Sequence, residues 1–460
     1  MQIFDAIVIG SGQGGTPLAK KLAKAGIKTA IIEKRLVGGT CINDGCTPTK
    51  AMIASAKAAH TISRSKELGI ETGDFTVNLK NIIERKNKIV NSFRKSAEKG
   101  LEETANLSLV MGEATFTGKK TIEVLKEGNV ETYTADKIFI NTGTTPQIPE
   151  IEGLSDVPYH TSTTLLDVDK LPRHLIIIGG GYIALEYGQM FRRFGSEVSI
   201  IIREPVFLPR EDEDISSCIR DIFIEEGIKI YVEAKTEKIY CTPNGDVLLT
   251  ILMKGEKITI DGSDILLAAG RTPQTNTLHL DKTGVTINEK GYINVDEYLQ
   301  TSEPGIYALG DVKGGPAFTH ISYNDYIVLT KNIIQQSHIS VKGRPIPYTM
   351  FTDPQLGRIG LTEKEARKQG LNIEAVTLSM DKVARGIETG ETKGMMKAIV
   401  DKDTKQILGA AILGAEGGEV MTVLQVAMQG KITYEQIREN IFAHPLYAES
   451  LNNLFMSLDK

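Results

Sequence analysis

FDAIVIGSGQGG, residues 4–15, is the stretch that decides the fold of this chain. Its mostly apolar first half predicts a buried β-strand, and the segment TPLAKKLAKAG after it has a helical pattern that ends in glycine. Between them, Gly10, Gly12 and Gly15 form a GxGxxG pattern. In such a turn Gly10 permits the tight bend, Gly12 lets a pyrophosphate approach the backbone, and Gly15 allows close packing of helix on strand.

A second strand, KTAIIE, follows the helix and ends at Glu33, 21 residues after Gly12. A carboxylate at this distance binds the ribose hydroxyls of a dinucleotide, and the helix N-terminus offers free N–H groups and a positive dipole to its phosphates. A glycine-rich turn without a ligand is the alternative interpretation. Because strand, glycines, helix and acid are all in register, the sequence predicts a dinucleotide-binding unit.

The same strand–turn–helix–strand pattern recurs in HLIIIGGGYIALEYGQMFRRFGSEVSIII, residues 174–202. Here the glycine pattern is GxGxxA, formed by Gly179, Gly181 and Ala184. The chain therefore contains two related dinucleotide-binding halves, and this duplication is its main organising feature.

The second half lacks the acidic residue that would bind a ribose. Ile202 occupies that place, and Arg203 and Arg210 follow it. Guanidinium groups without a carboxylate suit the 2′-phosphate of NADP(H). Three acidic residues in the same loop argue against this reading: Glu204, Glu211 and Asp212. The alternative is that the two arginines only solvate a surface loop.

The composition narrows the class of protein. The chain has 460 residues, of which 41% are hydrophobic and 24% charged, and this length is typical of roughly two to four domains. A net charge of −5 argues against nucleic acid or an anionic membrane as a main partner. No apolar run approaches the length of a membrane span, and the N-terminus lacks the features of a signal peptide, so a cytoplasmic location is expected.

Two of the four cysteines, Cys41 and Cys46, lie in GGTCINDGCTPTK, residues 38–50. The pair could form a disulfide, bind a metal or have no special role. A zinc site would need two further ligands at a compatible spacing, and Cys218 and Cys241 stand alone. In a cytosolic chain, a close pair is more often redox-active or metal-binding.

With these segments together, the chain resembles the flavin-dependent pyridine nucleotide–disulfide oxidoreductases over essentially its whole length. This family includes glutathione reductase, dihydrolipoamide dehydrogenase and mercuric reductase. GGTCINDGCTPTK is similar to the family's redox-active disulfide motif. Three further motifs follow in the family's order: AAGRTPQT at 268–275, TSEPGIYALGDV at 301–312 and HPLYAE at 444–449.

The resemblance implies a catalytic pair in which Cys46 lies against the flavin and Cys41 meets the substrate. A helix N-terminus at this pair would lower the thiolate pKa. Lys50, one helical turn beyond Cys46, would lie by flavin N5 and pair with Glu186. Tyr182 would form an aromatic gate over the nicotinamide pocket; without the family it would be interpreted as a packing residue.

His444 and Glu449 match the family's C-terminal histidine–glutamate pair, which reaches the disulfide of the partner subunit and handles protons. The resemblance thus implies a homodimer with shared active sites. Leu446 stands where several members have threonine, and this change is expected to be tolerated because the proton chemistry lies on the imidazole ring.

The resemblance also implies FAD and NADPH as cofactors, with NADH as an alternative, and no metal. Asp311 would bind the ribityl chain of the flavin, and His320 would lie beside the flavin in a packing or backbone role. The residues expected at the two cofactors are Gly10, Gly12, Gly15, Glu33, Thr40, Lys50, Thr142, Gly143, Gly179, Gly181, Tyr182, Arg203, Arg210, Gly270, Arg271, Gly310, Asp311 and His320.

The expected fold class is α/β, with two Rossmann-like dinucleotide-binding domains, for FAD and NAD(P)H, and a C-terminal α+β dimerisation domain. Residues 1–150 and 275–340 are assigned to the FAD domain, 151–274 to the NAD(P)H domain and 341–460 to the dimerisation domain. Residues 51–105 are expected to be largely helical.

Three members of the family compete as guides to the substrate. A mercuric reductase proper carries a C-terminal cysteine pair and lacks His444, whereas this chain has no cysteine beyond Cys241. Lipoamide dehydrogenase fits the histidine–glutamate pair but has an acidic nicotinamide loop. Glutathione reductase fits the two arginines but little of the C-terminal region.

The segments FTDPQLGRIGLTE, GETKGMMKAIVD and IFAHPLYAESLNNLF resemble a mercuric-reductase-like bacterial branch that includes hypothiocyanous acid reductases. The expected function is therefore FAD-dependent reduction of a small electrophilic oxidant by NAD(P)H, hypothiocyanous acid to thiocyanate, through a Cys41–Cys46 disulfide. The alternatives are dihydrolipoamide dehydrogenase or another disulfide reductase, a mercuric or copper reductase, and a structural subunit of a multienzyme complex. No lipoyl domain or Ala/Pro-rich linker supports the last of these.

Overall fold

A computed structural model describes residues 1–459 of the chain. The chain divides into two compact units, each built from three segments. The first unit comprises Met1–Ala51, Asn81–Gln147 and Gly270–Arg344, and the second comprises Met52–Lys80, Ile148–Ala269 and Pro345–Lys460.

The chain forms 22 strands and 12 α-helices within the described residues. In chain order, the strands are β1 (Gln2–Ile9), β2 (Thr29–Glu33), β3 (Leu107–Met111), β4 (Glu113–Gly118), β5 (Thr121–Lys126), β6 (Asn129–Ile140), β7 (Thr144–Pro146), β8 (His160–Thr161), β9 (His174–Ile178), β10 (Glu197–Ile201), β11 (Lys229–Tyr231), β12 (Ala234–Cys241), β13 (Val247–Met253), β14 (Glu256–Gly262), β15 (Asp264–Leu267), β16 (Arg271–Pro273), β17 (Ile306–Ala308), β18 (Tyr348–Met350), β19 (Gln355–Gly360), β20 (Ile373–Ser379), β21 (Met395–Asp401) and β22 (Ile407–Gly414). The helices are α1 (Gly15–Lys24), α2 (Gly39–Asn43), α3 (Cys46–Ser63), α4 (Leu79–Glu102), α5 (Tyr182–Phe194), α6 (Glu213–Glu225), α7 (Thr319–Ile334), α8 (Glu363–Lys368), α9 (Ala384–Thr389), α10 (Gly417–Gln429), α11 (Tyr434–Arg438) and α12 (Ser450–Met456).

The first unit is built on a seven-stranded sheet in the order β3-β2-β1-β6-β5-β4, with β17 also paired to β6. Strands β3, β2, β1, β6 and β17 run parallel, and β4 and β5 add an antiparallel extension. Ile7 and Val8 of the central strand are both fully buried, yet they belong to different core clusters. Because side chains alternate along a strand, both faces of this sheet are covered, as parallel sheets require.

The second unit contains a parallel sheet, a small antiparallel sheet and a C-terminal antiparallel sheet. The parallel sheet has the order β11-β10-β9-β15-β8, and its central strand His174–Ile178 is buried along its whole length. Strands β12, β13 and β14 form the small sheet, and β18, β19, β22, β21 and β20 form the C-terminal one. The α/β fold with two Rossmann-like regions and a C-terminal α+β region is therefore confirmed.

Several predicted elements are confirmed, and the structure contains further elements that were not predicted. Both strand–turn–helix–strand units form as expected. In 51–105, helices α3 and α4 form, but residues 70–78 adopt no regular structure. The small antiparallel sheet, β20 and helices α8, α9 and α12 were not predicted. The three-domain division with the bounds given above stays a prediction.

None of the helices within the described residues combines the length and the apolar character needed to cross a bilayer.

Candidate active site

The first glycine loop is shaped by backbone contacts that leave no room for side chains. Gly10 has φ +101°, and a Cβ there would lie 2.4 Å from the carbonyl oxygen of Asn141. A Cβ on Gly15 would lie 2.1 Å from the carbonyl oxygen of Gly10, and one on Gly12 would lie 3.0 Å from Asn141 Nδ2. The glycines thus allow the tight turn from β1 into α1, and this cradle fits the pyrophosphate of a dinucleotide.

Glu33, at the end of β2, is held beside this loop. Its Oε2 accepts hydrogen bonds from the Ser11 backbone N–H at 2.9 Å and from the Ser11 hydroxyl at 2.7 Å. Its Oε1 accepts from the Arg35 backbone N–H at 2.9 Å. A carboxylate has about four acceptor positions, so this fixed group retains capacity for a ribose hydroxyl.

The cysteine loop lies directly against the first glycine loop. A Cβ on Gly39, the first residue of α2, would approach within 2.7 Å of the Gly12 Cα. Gly38, just before it, has φ +99° and donates its backbone N–H to the Ser11 carbonyl oxygen at 3.1 Å. The backbones of the nucleotide loop and the cysteine loop therefore lie in direct contact.

The two cysteines meet at the junction of two helices. Cys41 lies within the five-residue helix α2, and Cys46 is the first residue of the 18-residue helix α3. Both are thiols in this structure and half-buried, and a hydrogen bond joins their side chains. Cys46 Sγ lies 3.2 Å from the hydroxyl oxygen of Thr319, at the start of α7. The sequence thus places its candidate redox pair in a single site.

The hydrogen bond to Cys46, and secondarily burial, raise the pKa of the Cys41 thiol well above its ordinary value. The expectation of a lowered thiolate pKa is therefore wrong for Cys41. The reason is local, because the neighbouring Cys46 thiol and burial both favour the protonated form of Cys41, and Cys46 rather than Cys41 begins the long helix. Two interacting thiols titrate as a unit, so the raised pKa belongs to the pair that Cys41 forms with Cys46.

Asp311, Arg271 and Thr144 come together in the first unit. Asp311 lies in a short 3₁₀ turn, Gly310–Lys313, and its Oδ2 accepts a hydrogen bond from the Thr144 hydroxyl at 3.3 Å. Arg271 Nε donates to the Thr144 hydroxyl oxygen at 2.7 Å. Burial raises the pKa of the Asp311 carboxyl, and the nearby Arg271 guanidinium opposes that rise.

Buried Asp325, which the sequence analysis missed, supports the turn that carries Asp311. Its carboxylate accepts the Gly310 backbone N–H at 2.8 Å and pairs with Arg344 Nη1 at 2.7 Å and Lys313 Nζ at 3.4 Å. The 3₁₀ turn is therefore anchored from below by a charged group with no exposed surface.

The remaining predicted cofactor residues of the first unit lie in turns next to strands and in helices α2, α3 and α7. The Thr142 hydroxyl donates to the Gln274 carbonyl oxygen at 2.8 Å, and Gly143 and Gly270 both have positive φ. His320, the second residue of α7, stacks on Phe318 with ring centroids 5.3 Å apart. Two further residues flank the cysteines: exposed Thr40 in α2 and half-buried Lys50 in α3.

The second glycine loop repeats the first in its own unit. Gly179 has φ +128°, and a Cβ there would lie 2.3 Å from the Ala268 carbonyl oxygen. Gly181 has open space around it and precedes α5, so its backbone is accessible to a phosphate. Glu186, buried on α5, accepts the Phe351 backbone N–H at 2.8 Å. Its pairing with Lys50 stays a prediction.

Arg203 and Arg210 both point to solvent just beyond β10. The Arg203 side chain is 82% exposed, and its Nη2 lies 3.4 Å from Glu204. Two of the three acidic residues counted against a 2′-phosphate face inward instead, and both are buried: Glu211 and Asp212. These two carboxylates therefore do not share the solvent-exposed face of Arg203 and Arg210, and the preference for NADP(H) stays a prediction.

Tyr182, the first residue of α5, is tied to the inward-facing Glu211. Its hydroxyl donates a hydrogen bond to Glu211 Oε1, and its ring packs against Tyr348 with centroids 5.3 Å apart. Burial, and then the Glu211 carboxylate, raise the pKa of the Tyr182 hydroxyl. The local sequence could not predict the contact between Tyr182 and Tyr348, because the two residues are 166 positions apart in the chain.

His444 and Glu449 form the predicted pair. His444 Nδ1 lies 2.9 Å from Glu449 Oε2 and 3.1 Å from Oε1. A carboxylate accepts only, so the proton on the neutral ring is at Nδ1 and the lone pair at Nε2. The imidazole is 67% exposed, and Ile441 nearby is 95% exposed. The pair is therefore oriented as a base at the surface of its unit.

Across residues 1–459, no three histidine, cysteine, aspartate or glutamate side chains are grouped so that they could hold a metal ion.

Comparison with known proteins gives consistent matches along the whole chain. The family model of pyridine nucleotide-disulphide oxidoreductases matches residues 4–325, and the model of their dimerisation domain matches residues 346–455. The chain is 38% identical over 460 residues to the probable pyridine nucleotide-disulfide oxidoreductase RclA of Escherichia coli K12, covering 99% of each. It is 32% identical to a mercuric reductase of Lysinibacillus sphaericus, covering 99% of this chain and 83% of that one.

Among solved structures, the chain is similar to the Cu(II) complex of the HOCl-induced flavoprotein disulfide reductase RclA from Escherichia coli. The TM-score is 0.92 at 37% sequence identity, and the alignment covers 100% of both chains.

Proposed function

The chain belongs to the pyridine nucleotide-disulphide oxidoreductase family, and within that family we propose that it reduces hypothiocyanous acid to thiocyanate through Cys41 and Cys46. It is a flavoprotein disulfide reductase that uses FAD and NAD(P)H, as its family does. The observation that carries the proposal is the contact between the two thiols, of which Cys46 stands at the N-terminus of a long helix.

The residues of the first unit fit FAD. The side-chain-free cradle of the first glycine loop, the fixed Glu33 carboxylate and the Asp311 turn would hold its pyrophosphate, ribose and ribityl chain. FAD bound there would supply the redox chemistry that carries electrons from NAD(P)H to a Cys41–Cys46 disulfide, which leaves the two cysteines as a dithiol.

Cys41 is the proposed attacking group. Its thiolate bonds to the electrophilic sulfur of hypothiocyanous acid, and hydroxide leaves and is protonated to water. Cys41 then carries a thiocyanate group. The Cys46 thiolate attacks Cys41 Sγ, thiocyanate departs, and the disulfide re-forms. Each oxidant thus takes two electrons from the dithiol, and the net reaction also releases one proton.

The raised pKa of Cys41 means that this thiol needs a base. His444 has a basic Nε2 lone pair, a carboxylate that orients its ring, and a largely exposed imidazole. We assign His444 of one chain as the group that takes the Cys41 proton of a second copy of the chain. The same imidazole then returns that proton to the leaving hydroxide. The match of residues 346–455 to a dimerisation domain supports a homodimer with shared sites.

A second candidate substrate is copper(II), because the similar RclA structure is a Cu(II) complex. The description of RclA as HOCl-induced instead favours a small halogen-derived oxidant, in line with the proposed reaction. We keep the cytoplasm as the proposed location, since dithiols persist in its reducing conditions.

A substrate panel tests the proposal. The purified holoenzyme is given NADPH or NADH together with hypothiocyanous acid, lipoamide, glutathione disulfide, Hg(II) or Cu(II), and nucleotide oxidation is followed. We expect the highest kcat/KM with hypothiocyanous acid. Faster turnover of lipoamide or glutathione disulfide would instead identify a conventional disulfide reductase, and capture of acyltransferase partners would point to a subunit of a complex.

Arg203 and Arg210 are proposed to bind the 2′-phosphate of NADPH, because both are exposed beyond β10 and the buried Glu211 and Asp212 do not oppose them. Replacing both with alanine should weaken NADPH use by about 1–3 kcal/mol per lost charge-assisted contact. NADH use should change little. The matched control is Arg220→Ala, which removes a partly exposed arginine on α6. An equal loss with NADH would show that the two arginines support the fold instead.

A further inference from the structure

A fully buried carboxylate, that of Glu211, lies at the centre of a polar cluster in the second unit. Its Oε1 accepts hydrogen bonds from two phenol groups, Tyr182 and, at 2.8 Å, Tyr348. Its Oε2 lies 3.5 Å from Nε of Arg358, which is itself only 3% exposed. Arg358 Nη1 also donates to the carbonyl oxygens of Ile359 and Ala410. The cluster is therefore a compensated buried charge rather than a surface ion pair.

The members of this cluster come from separate elements. Tyr182 begins α5 directly after the second glycine loop, Tyr348 lies on β18 and Arg358 on β19. Glu211 lies in the segment between β10 and α6, immediately after exposed Arg210. Asp212, next in the chain, accepts the backbone N–H of Glu363 at 3.0 Å, so the Glu211 carboxylate is held at a fixed point.

The cluster stabilises one position of the Tyr182 side chain, as the loss of the Tyr182–Glu211 contact shows. One hydrogen bond to a charged acceptor is lost, and such a bond biases the closed position by about 10- to 100-fold. Tyr348 and Arg358 remain on the carboxylate, so Glu211 does not become an unpaired buried charge. The open position is consequently accessible but disfavoured. Because burial and the carboxylate both raise the pKa of Tyr182, its hydroxyl remains a neutral donor near pH 7.

We propose that Glu211 is a positioning residue that latches Tyr182 closed, so that a nicotinamide ring has to break the Tyr182–Glu211 hydrogen bond to enter its pocket. The inference rests on the proposed function and on the role of nicotinamide gate that the family resemblance gives to Tyr182. Nucleotides that carry a nicotinamide bind against the latch. Nucleotides that end at the phosphates do not displace Tyr182, so their affinity does not depend on the Tyr182–Glu211 hydrogen bond.

Equilibrium binding of two nucleotides to the holoenzyme tests the latch. NADP⁺ carries the nicotinamide, and 2′,5′-ADP has the same 2′-phosphate and adenosine without it. In Tyr182→Phe, which removes only the hydroxyl, titration calorimetry should show NADP⁺ binding tighter by about 10-fold or more. The affinity for 2′,5′-ADP should stay within about twofold of the parent, since no part of that ligand reaches Tyr182.

Glu211→Gln provides the reciprocal variant and Glu213→Gln the matched control. Glu211→Gln keeps an acceptor oxygen but removes its charge, so it should tighten NADP⁺ binding in the same direction and by less. Combining it with Tyr182→Phe should add nothing to the effect of Tyr182→Phe alone, because both changes act on one hydrogen bond. Glu213 is exposed two residues away and makes no contact with the cluster. Its substitution removes the same charge from the same segment and should leave both affinities unchanged.

The outcomes separate the latch from the function on which it rests. If Tyr182→Phe leaves NADP⁺ affinity unchanged, or if both nucleotides shift equally, the latch is refuted while the nucleotide site stands. If the parent enzyme binds neither nucleotide, the assignment of this site to NADPH is wrong, and the latch falls with it.

Discussion

Replacing Cys41 by serine is expected to stop turnover of hypothiocyanous acid, with a loss on the order of 1,000-fold or more, while NADPH still bleaches the flavin absorbance. A serine hydroxyl at this position has no thiolate to offer, and an alcohol is a far weaker nucleophile toward an electrophilic sulfur. The residues that bind the cofactors are untouched by the change. Stopped-flow absorbance and steady-state NADPH oxidation measure the two halves separately.

Cys241→Ser is the matched control for this variant, because Cys241 is an exposed thiol at the end of β12. It should retain the parental rate. If Cys41→Ser turned over the oxidant as fast as the parent, the reduction would occur without the dithiol, and the thiol mechanism would be wrong.

Mixing two inactive variants is expected to restore activity. In a heterodimer of Cys46→Ser and His444→Ala chains, one site combines an intact cysteine pair with an intact partner histidine, and the other site carries both defects. Random exchange gives half heterodimers, so about a quarter of the parental activity should return. Each variant alone should lie roughly 100- to 10,000-fold below the parent on the basis of nucleophile or general-base loss.

The control mixture is Cys46→Ser with Cys41→Ser, in which every cysteine pair contains one defect. It should remain inactive however the chains exchange. Exchange itself is verified by co-purification of differently tagged chains. If exchange is complete and the first mixture gains nothing, each active site draws its histidine from its own chain or uses none.

Local patterns predicted the parts of the fold that depend on neighbouring residues. The turn at Gly10 and the carboxylate of Glu33 belong to one strand–helix–strand unit, so their spacing in the sequence was enough to locate both. The segment IEAVTLS, now β20, gives no such signal, because its buried residues Ile373 and Val376 are three positions apart and do not follow the period of two that marks a strand.

Long-range contacts account for what was missed in the site. The sequence placed Cys41 and Cys46 together, but which of the two begins the longer helix depends on where α2 ends. The raised pKa of Cys41 depends on its contact with Cys46 and on burial, which exist only in the folded chain. In the same way, the inward orientation of Glu211 depends on Tyr348 and Arg358, which lie far along the chain and supply its partners only after folding.

The backbone contact between Gly12 and Gly39 has a consequence for engineering this chain. The two loops abut without intervening side chains, so neither can be diversified in isolation: a residue inserted in one displaces the other. Grafting the cysteine motif onto a different nucleotide-binding scaffold would require its glycine loop as well. The two loops therefore have to be transferred together. Variant libraries that keep residues 10–15 and 38–39 constant and vary the surrounding helices should contain more folded proteins than libraries that vary either loop.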